Sequence, residues 1–241
     1  MLPIAIEGLL EDSKHTRRLS SPGPDGLPYE IILYLILKYP PLQSLITVVY
    51  NTALQKSKFL KTWNESVMCL LYKKGDLAEM KNYRPLSLAN SDYKLFTTRL
   101  LNRRTIEVSS LLISRHQLGF LPGRFITENG MICQLIMENA QRKWSYVEQN
   151  GSDPTFGELD ADIGLLLDQE KAYDRVNLDY LHKVLAKFGF LPREIIIKCI
   201  KKLMGGNLTR INLNGHLSNE VAKLRGLKQG DLLSPILQYR N

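Results

Sequence analysis

The strand signals in this chain are few, short and scattered between long helical stretches, and this distribution restricts the fold more than any other feature of the sequence. Apolar residues at helical spacing run over Leu27–Lys38 and Leu42–Lys58, with two prolines between them. The short apolar run Ser66–Tyr72 precedes Lys-Lys-Gly-Asp and predicts a strand that enters a tight turn. Because a parallel sheet needs strands and helices to alternate regularly, the pattern favours an α+β fold.

The second half of the chain continues this pattern. Asn214-Gly215 joins the runs Leu208–Leu213 and Leu217–Leu224, which is the strongest hairpin signal in the sequence. The apolar run Ile163–Asp168 ends at a carboxylate and predicts a buried strand. Four more helices are predicted. The first has Ser91 and Asp92 as candidate caps, and the second has Thr127. These helices are predicted over four stretches, namely 91–111, 128–148, 178–188 and 192–204.

Composition excludes several classes of protein. The chain has 241 residues, of which 44% are hydrophobic and 23% charged, so we expect a folded domain rather than a disordered tail or a coiled coil. The three cysteines show no metal-ligand spacing and predict free thiols in a reducing, intracellular compartment, with nucleus and cytoplasm left open. The longest apolar run, Ile31–Leu37, falls far short of the roughly twenty residues of a membrane span, so no membrane partner is expected.

The charge balance points to a polyanionic partner. The net charge is +8, and residues 1–150 carry 19 basic and 13 acidic side chains, which leaves most of the excess in the N-terminal part. Such a field favours nucleic acid, although many basic proteins never bind one.

The stretch from Leu165 to Val176 is the most informative for chemistry. A carboxylate at the end of a buried strand, as predicted for Asp168, is held at the edge of a sheet, where it can ligate a hard cation. The alternative is that Asp168 caps the next turn and that the following charged residues form a solvated cluster. For an arbitrary sequence this second interpretation is the more frequent one.

Several segments, taken in order, resemble the motifs of one enzyme family. Asp168–Asp174 reads D-Q-E-K-A-Y-D and resembles the first catalytic motif, D-x-x-K-A-Y/F-D, of reverse transcriptases from non-LTR (LINE-type) retrotransposons. The other matching segments are S-P-G-P-D-G at 21–26, Y-K-K-G-D at 72–76, N-Y-R-P-L-S-L at 82–88, H-Q-L-G-F-L-P-G-R at 116–124 and R-G-L-K-Q-G-D-L-L-S-P at 225–235. Each match is weak alone, and together in this order they are strong.

The resemblance implies a right-handed polymerase fold with fingers and an incomplete palm built on a small antiparallel sheet. It implies a polar segment over 1–20, fingers over 21–150 and a partial palm over 151–241. The family reaction is a two-metal nucleotidyl transfer that uses Mg²⁺, an RNA template, a DNA primer and dNTPs, without a small-molecule cofactor.

The resemblance also assigns roles to individual residues. Asp168 would be the catalytic metal ligand, with the backbone carbonyl of Gln169 as a second contact, and Tyr173 would stack under the nucleotide sugar. Lys74 and Arg84 would grip the triphosphate, although Lys73 and Lys74 cannot be distinguished from the sequence. Further contacts are expected from two positions: Gln229 would lie beside the new base pair, where Gly230 would leave room for the nucleic acid. Arg124 would contact the template backbone, or form an ion pair with Glu128 four residues on.

The family pattern continues beyond Asn241. After Ser234-Pro235 the family has a Tyr-x-Asp-Asp hairpin and a thumb, and neither lies within residues 1–241. We therefore expect an absent thumb, an exposed apolar face on Ile163–Asp168, weak or absent Mg²⁺ binding, and no polymerisation by this polypeptide. Two alternatives remain: a non-catalytic nucleic-acid-binding module derived from a reverse transcriptase, and an α+β domain whose motifs are inert relics.

Overall fold

A computed structural model describes residues 3–14, 16, 19–98, 113–119, 121, 123–150, 164–187, 195–231 and 233–238. These residues fall into two compact units. The first unit contains Met1–Leu112 and Lys171–Asn241, and the second contains Ile113–Glu170. The units divide the chain at other residues than the expected fingers and palm, and that functional division stays a prediction.

Helices make up most of the first unit. The α-helices of the described chain are α1 (Ile6–Lys14), α2 (Tyr29–Lys38), α3 (Pro40–Lys56), α4 (Ser91–Phe96), α5 (Thr127–Asn150), α6 (Ala172–Arg175), α7 (Leu178–Lys187), α8 (Ile195–Met204) and α9 (Ser234–Gln238). Of these, α5 belongs to the second unit. Two 3₁₀ turns, Lys61–Asn64 and Met80–Asn82, precede the first two strands.

A five-stranded sheet lies in the first unit. Its strands are β1 (Glu65–Tyr72), β2 (Tyr83–Leu88), β3 (Asn207–Leu213), β4 (His216–Leu217) and β5 (Val221–Lys223). Their order is β2-β1-β3-β4, and β5 also pairs with β3. The expectation of an antiparallel sheet is wrong, because β1 and β3 run parallel while the other pairs are antiparallel. The connection from β1 to β3 includes helices and is long enough to return to the starting end of the sheet, which a parallel pair requires.

Aromatic side chains from three segments fill the centre of the core. Trp63 is fully buried, and its ring lies 4.5 Å from that of Phe96 and 5.8 Å from that of Tyr50. Asp92 satisfies the polar atoms of this cluster: its carboxylate accepts a hydrogen bond from Trp63 Nε1 at 2.8 Å, and its carbonyl accepts one from Tyr50 Oη at 2.7 Å. The cluster therefore joins α3, the 3₁₀ turn before β1 and α4.

Most predicted elements of the described chain are present. The Asn214-Gly215 hairpin is confirmed, with φ of 52° and 88° at the two turn residues, as a type I′ turn requires. Helix α4 begins at Ser91 as expected, but the capping position is Asn90, whose side chain bonds to the backbone N–H of Asp25 instead of capping. The expected continuation of this helix over 99–111 lies outside the described residues. Residues 192–194, the predicted start of the helix over 192–204, also lie outside them.

The predicted buried strand over Ile163–Asp168 is wrong for the residues that are described. Gly164–Gln169 has irregular backbone, and Leu165, Leu166 and Leu167 are 79%, 98% and 82% exposed. An apolar run becomes a strand only where a neighbour supplies hydrogen bonds and cover, and no described strand pairs with this segment. The expected exposed apolar face is present at these three leucines.

Two further expectations concern cysteines and membranes. Cys69, Cys133 and Cys199 are free thiols, as expected. Among the described residues no single helix is long and apolar enough to span a bilayer, and α2 with α3 reaches that length only as a pair bent by 109°.

Candidate nucleic-acid site at the edge of the sheet

The β1–β2 hairpin presents three cations to solvent. The ladder pairs Leu71 with Arg84, and the backbone N–H of Lys73 donates to the carbonyl of Asn82 at 2.9 Å. Within the loop, Gly75 takes a φ of 99° and the Asn82 amide donates to the carbonyl of Asp76 at 2.8 Å. These bonds fix the Lys-Lys-Gly-Asp turn. Lys73, Lys74 and Arg84 are all exposed.

A tight turn covers the outer edge of β2. The backbone N–H of Asp231 donates to the carbonyl of Lys228 at 3.2 Å, and Gly230 at the third position has a φ of 98°, which suits a type II turn. The carbonyl of Gln229 accepts a hydrogen bond from the backbone N–H of Ser87 at 2.8 Å. Gln229 is thus attached by its backbone to the strand that carries Arg84.

Gly230 lies on the same face of β2 as Arg84. A Cβ at Gly230 would come within 2.7 Å of Leu86 Cδ1 and 3.2 Å of the Ser87 carbonyl. Side chains alternate along a strand, so Leu86 and Arg84 share a face. The structure attaches Gln229 and Gly230 to β2 at Leu86 and Ser87, two and three residues along the strand from Arg84. The structure also gives a reason for glycine at position 230 that the sequence did not reveal. A side chain there would collide with Leu86 and Ser87 of the protein before it could reach any nucleic acid.

Two buried ionisable residues flank this turn. Lys228 is 1% exposed, its Nζ lies 4.7 Å from the Tyr93 ring centroid, and it donates to the carbonyl of Trp63 at 3.4 Å. Asp231 accepts hydrogen bonds from the Tyr93 hydroxyl and, at 2.9 Å, from the backbone N–H of Leu233. Burial lowers the pKa of Lys228 to about 8, while the charge of Asp231 opposes that shift. Both residues anchor the turn to the core, Lys228 through the Trp63 carbonyl and Asp231 through the Tyr93 hydroxyl.

The C-terminal half of the D-Q-E-K-A-Y-D segment packs against the same loop. The backbone N–H of Leu227 donates to the carbonyl of Tyr173 at 2.8 Å. At Gly226, which has a φ of 86°, a Cβ would lie 2.9 Å from the Cα of Asp174. Tyr173 is half-buried, and this burial raises the pKa of its hydroxyl. The loop that carries Gln229 therefore also contacts the backbone of Tyr173.

The Ser-Pro-Gly-Pro-Asp-Gly segment is anchored to the residues that follow β2. The backbone N–H of Asp25 donates to the Asn90 side chain at 3.3 Å, and a Cβ at Gly23 would lie 2.4 Å from the backbone nitrogen of Asn90. Lys94 donates to the carbonyl of Ser21 at 3.0 Å. Sequence reasoning found both segments and missed their contact. The glycine-rich composition at 21–26 was the available signal for a close approach of two backbones.

The remaining predicted residues lie in the second unit. Asp168 and Gln169 are exposed on irregular backbone. The Arg124 guanidinium donates to the carbonyls of Ile113, Ser114 and Gln117, and so holds its own loop. These hydrogen bonds give Arg124 a structural role that needs no nucleic acid. Its predicted contact with a template backbone stays a prediction.

Comparison with known proteins identifies the family. Residues 71–240 match the family model described as "Reverse transcriptase (RNA-dependent DNA polymerase)". The chain belongs to the reverse transcriptase family. It is 30% identical over 232 residues to the "Transposon TX1 uncharacterized 149 kDa protein" of Xenopus laevis, a match that covers 96% of this chain and 16% of that protein. It is 26% identical over 159 residues to the "Retrovirus-related Pol polyprotein from type-2 retrotransposable element R2DM" of Drosophila melanogaster, a match that covers 65% of this chain and 13% of that protein.

These similarities confirm the resemblance to the non-LTR, LINE-type members and the expected function class, the reverse transcriptase domain of a retroelement. The mixed helices and small mixed sheet are compatible with such a domain. The chain spans less than a fifth of the length of either relative. Members of this family generally use divalent metal ions, an RNA template and nucleotide substrates.

The metal ligands of a reverse transcriptase are not complete within the described residues. That part of the chain holds no group of three or more His, Cys, Asp or Glu side chains placed to bind a metal. A carboxylate at Asp168 and a backbone carbonyl at Gln169 are the oxygen donors that Mg²⁺ prefers, and Mg²⁺ usually completes its octahedral shell with water and substrate phosphates. The described residues therefore supply at most one side of a metal site.

Proposed function

We propose that residues 1–241 act as fingers and partial palm of a LINE-type reverse transcriptase, in a right-handed polymerase arrangement. In this role the chain binds an RNA template with its annealed DNA primer and orients the incoming dNTP. The observation that carries the proposal is the attachment of the Lys228–Asp231 turn to the Arg84 strand, with Gly230 on the Arg84 face. This arrangement places a cation and the backbone of the turn on one hydrogen-bonded element, where both can contact a nucleotide.

Lys74 and Arg84 are proposed to hold the triphosphate. Both are exposed, and neither has an ion-pair partner in the part of the chain that the structure describes. Unpaired cations at fixed positions bind phosphate oxygens without first having to break an internal ion pair. Arg84 also lies on a strand, so its starting position is better defined than that of a loop residue.

The other assignments follow the family pattern. Tyr173 is proposed to lie under the nucleotide sugar and Gln229 beside the nascent base pair, with their backbones joined through residues 226–229. Asp168 is proposed as the catalytic carboxylate that contacts the metal, together with the carbonyl of Gln169. Arg124 is proposed to act at the template strand while its guanidinium holds the carbonyls of its own loop.

Binding of a primer–template tests this proposal. Fluorescence anisotropy with a labelled RNA template annealed to a DNA primer would measure affinity for the full 241-residue chain. We expect Arg84→Ala to weaken binding of the primer–template–dNTP complex about tenfold, consistent with a charge-assisted contact to phosphate. Lys14→Ala is the matched control, because Lys14 is an exposed cation paired with Glu11. Equal effects of the two variants, or no binding at low salt, would contradict the proposal.

Nucleotide incorporation separates the proposal from a second candidate. An exposed Asp168 without a surrounding acidic cluster in the described part of the chain favours a nucleic-acid-binding module that lacks chemistry. Incubation with primer–template, Mg²⁺ and dNTPs would give templated extension that Asp168→Asn abolishes if the chain is catalytic. Binding with a steep salt dependence and no extension would identify the second candidate.

A further inference from the structure

Two packed helices of the first unit present a lysine-rich surface that the candidate site does not use. Helix α7 packs against α8, and α8 packs against α3. Their exposed lysines are Lys183 and Lys187 on α7 and Lys198, Lys201 and Lys202 on α8. We call these five residues the lysine face. Within α7 and α8 the sole acidic side chain is Asp179.

The end of α3 extends the same surface. The Cys199 thiol on α8 lies 3.9 Å from the carbonyl of Leu54 and 3.8 Å from the hydroxyl of Ser57. Ser57 is buried, while Lys56 and Lys58 on either side of it are exposed. Two more cations therefore flank the lysine face where α8 meets α3.

The lysines on this face are not neutralised by the described protein. None of the five has an ion-pair partner in the part of the chain that the structure describes. Lys201 on α8 acts across to α7: burial first and the charge of Lys201 second lower the pKa of His182, while Asp179 raises it.

The spacing of the lysines concentrates this charge. Lys183 with Lys187, and Lys198 with Lys201 and Lys202, are separated by three or four residues and so project from one side of their helices. Like charges at these separations repel one another and lower helix stability. A bound polyanion would remove this repulsion and displace the counterions that collect around both partners.

We propose that the lysine face is a second nucleic-acid contact, which binds the phosphate backbone of RNA without reading its sequence. This rests on the proposed function, since it takes the RNA template as the partner. Lysine ammonium groups act as point charges with no planar fork to match a base edge, which suits backbone binding. The lysine face lies on α7 and α8, whereas Arg84 lies on strand β2. A long RNA can therefore attach at two separate places.

The test compares two triple variants of the full chain. Lys198→Gln, Lys201→Gln and Lys202→Gln remove three charges from the face, and Lys14→Gln, Lys38→Gln and Arg142→Gln remove three charges elsewhere. In the control set, Lys14 and Arg142 are paired with Glu11 and Glu138. Affinity for a labelled single-stranded RNA of mixed sequence is measured as a function of salt concentration.

For the face variant we expect about tenfold weaker binding at moderate salt and a slope of log K against log salt that is smaller by about 2, from roughly 0.7 per lost phosphate contact. Replacing the same three lysines by arginine retains the charge and should retain the slope. Equal losses in the two triple variants would overturn the lysine face as a site and indicate net charge alone. An unchanged slope in the face variant, or tighter binding to phosphatidylserine vesicles than to RNA, would also overturn it.

The outcomes distinguish this inference from the proposed function. If the wild-type chain binds RNA and Arg84→Ala weakens ternary-complex binding while the face variant binds normally, the lysine face fails and the proposed function stands. If the wild-type chain binds no RNA at low salt, both fail.

Discussion

Two aspartates, Asp231 in the first unit and Asp168 in the second, stand in segments that resemble the same family and yet differ in almost every structural respect. Asp231 is 7% exposed and accepts hydrogen bonds from Tyr93 and Leu233. Asp168 is exposed and follows three exposed leucines. A motif therefore fixes a side chain only where the surrounding fold supplies packing and hydrogen bonds.

The greatest contrast should come from deleting each carboxylate. Asp231→Ala leaves the Tyr93 hydroxyl without its acceptor and removes the negative charge that favours the charged form of Lys228. We expect it to lower the free energy of unfolding by about 3 kcal/mol or more, because a buried hydroxyl loses its acceptor and a buried ammonium loses a nearby negative charge. Asp168→Ala should leave it unchanged within the error of measurement. Urea denaturation of both variants checks this, and a loss of stability in Asp168→Ala would contradict the contrast.

Two leucines extend the same contrast to apolar packing. Leu185 is 0% exposed and Leu166 is 98% exposed. We expect Leu185→Ala to cost about 3 kcal/mol through lost burial and a cavity, and Leu166→Ala to stay within about 0.5 kcal/mol. Thermal unfolding followed by circular dichroism measures both. If Leu166→Ala proves as costly as Leu185→Ala, the segment before Asp168 is packed in solution and the contrast is wrong.

The buried lysine beside the turn predicts a pH dependence. The pKa of Lys228, about 8, lies below the value of 10.5 for a free lysine, so the folded chain binds fewer protons than the unfolded chain between these values. The free energy of unfolding should therefore rise with pH from about 8, by roughly 2 kcal/mol up to pH ~9.5. Denaturation at several pH values tests this. Lys228→Met should remove most of the rise, and the remainder should come from Lys94 and Lys223, whose pKa values burial also lowers. The exposed-site control Lys74→Met should keep the whole rise.

The weakest effect is expected in the second unit. Gly130 is in helix α5, and a Cβ added there meets nothing within 4 Å. Gly130→Ala should stabilise the helix by about 0.5–1 kcal/mol, because glycine loses more conformational freedom in a helix than alanine does. Slower hydrogen exchange over residues 127–145 would confirm this. Faster exchange there would mean that the helix needs glycine at this position for a contact.

The sequence predicted elements whose cause is local. Asn214-Gly215 adopts positive φ at both turn residues, a conformation that this dipeptide favours locally, and a helix begins at Thr127, one residue before the predicted start. Elements that depend on distant partners were mispredicted. Ile163–Asp168 has the composition of a strand but no described neighbour. Ser91, predicted as a cap, is instead the first residue of helix α4, and its hydroxyl donates to the distant carbonyl of Leu27 at 2.8 Å.

The candidate site divides in the same way. Motif spacing indicated Arg84, Tyr173 and Gln229, and the structure joins the loop of Gln229 to the strand of Arg84 and to the backbone of Tyr173. The buried positions of Lys228 and Asp231 could not be predicted, because a charged residue in a polar turn is usually exposed and only the approach of Tyr93 and Trp63 makes burial tolerable.

The parallel pairing of β1 with β3 bears on biosynthesis. Ser66 and Thr209 join their hydroxyls at 3.0 Å across these strands, although 143 positions separate them along the chain. On the ribosome, the β1–β2 hairpin must emerge long before its neighbour has been translated. Its open side then offers unpaired amides to any other nascent polypeptide. We expect folding to wait for the last strands, and the yield of native protein to depend on chaperones that cover this edge in the meantime.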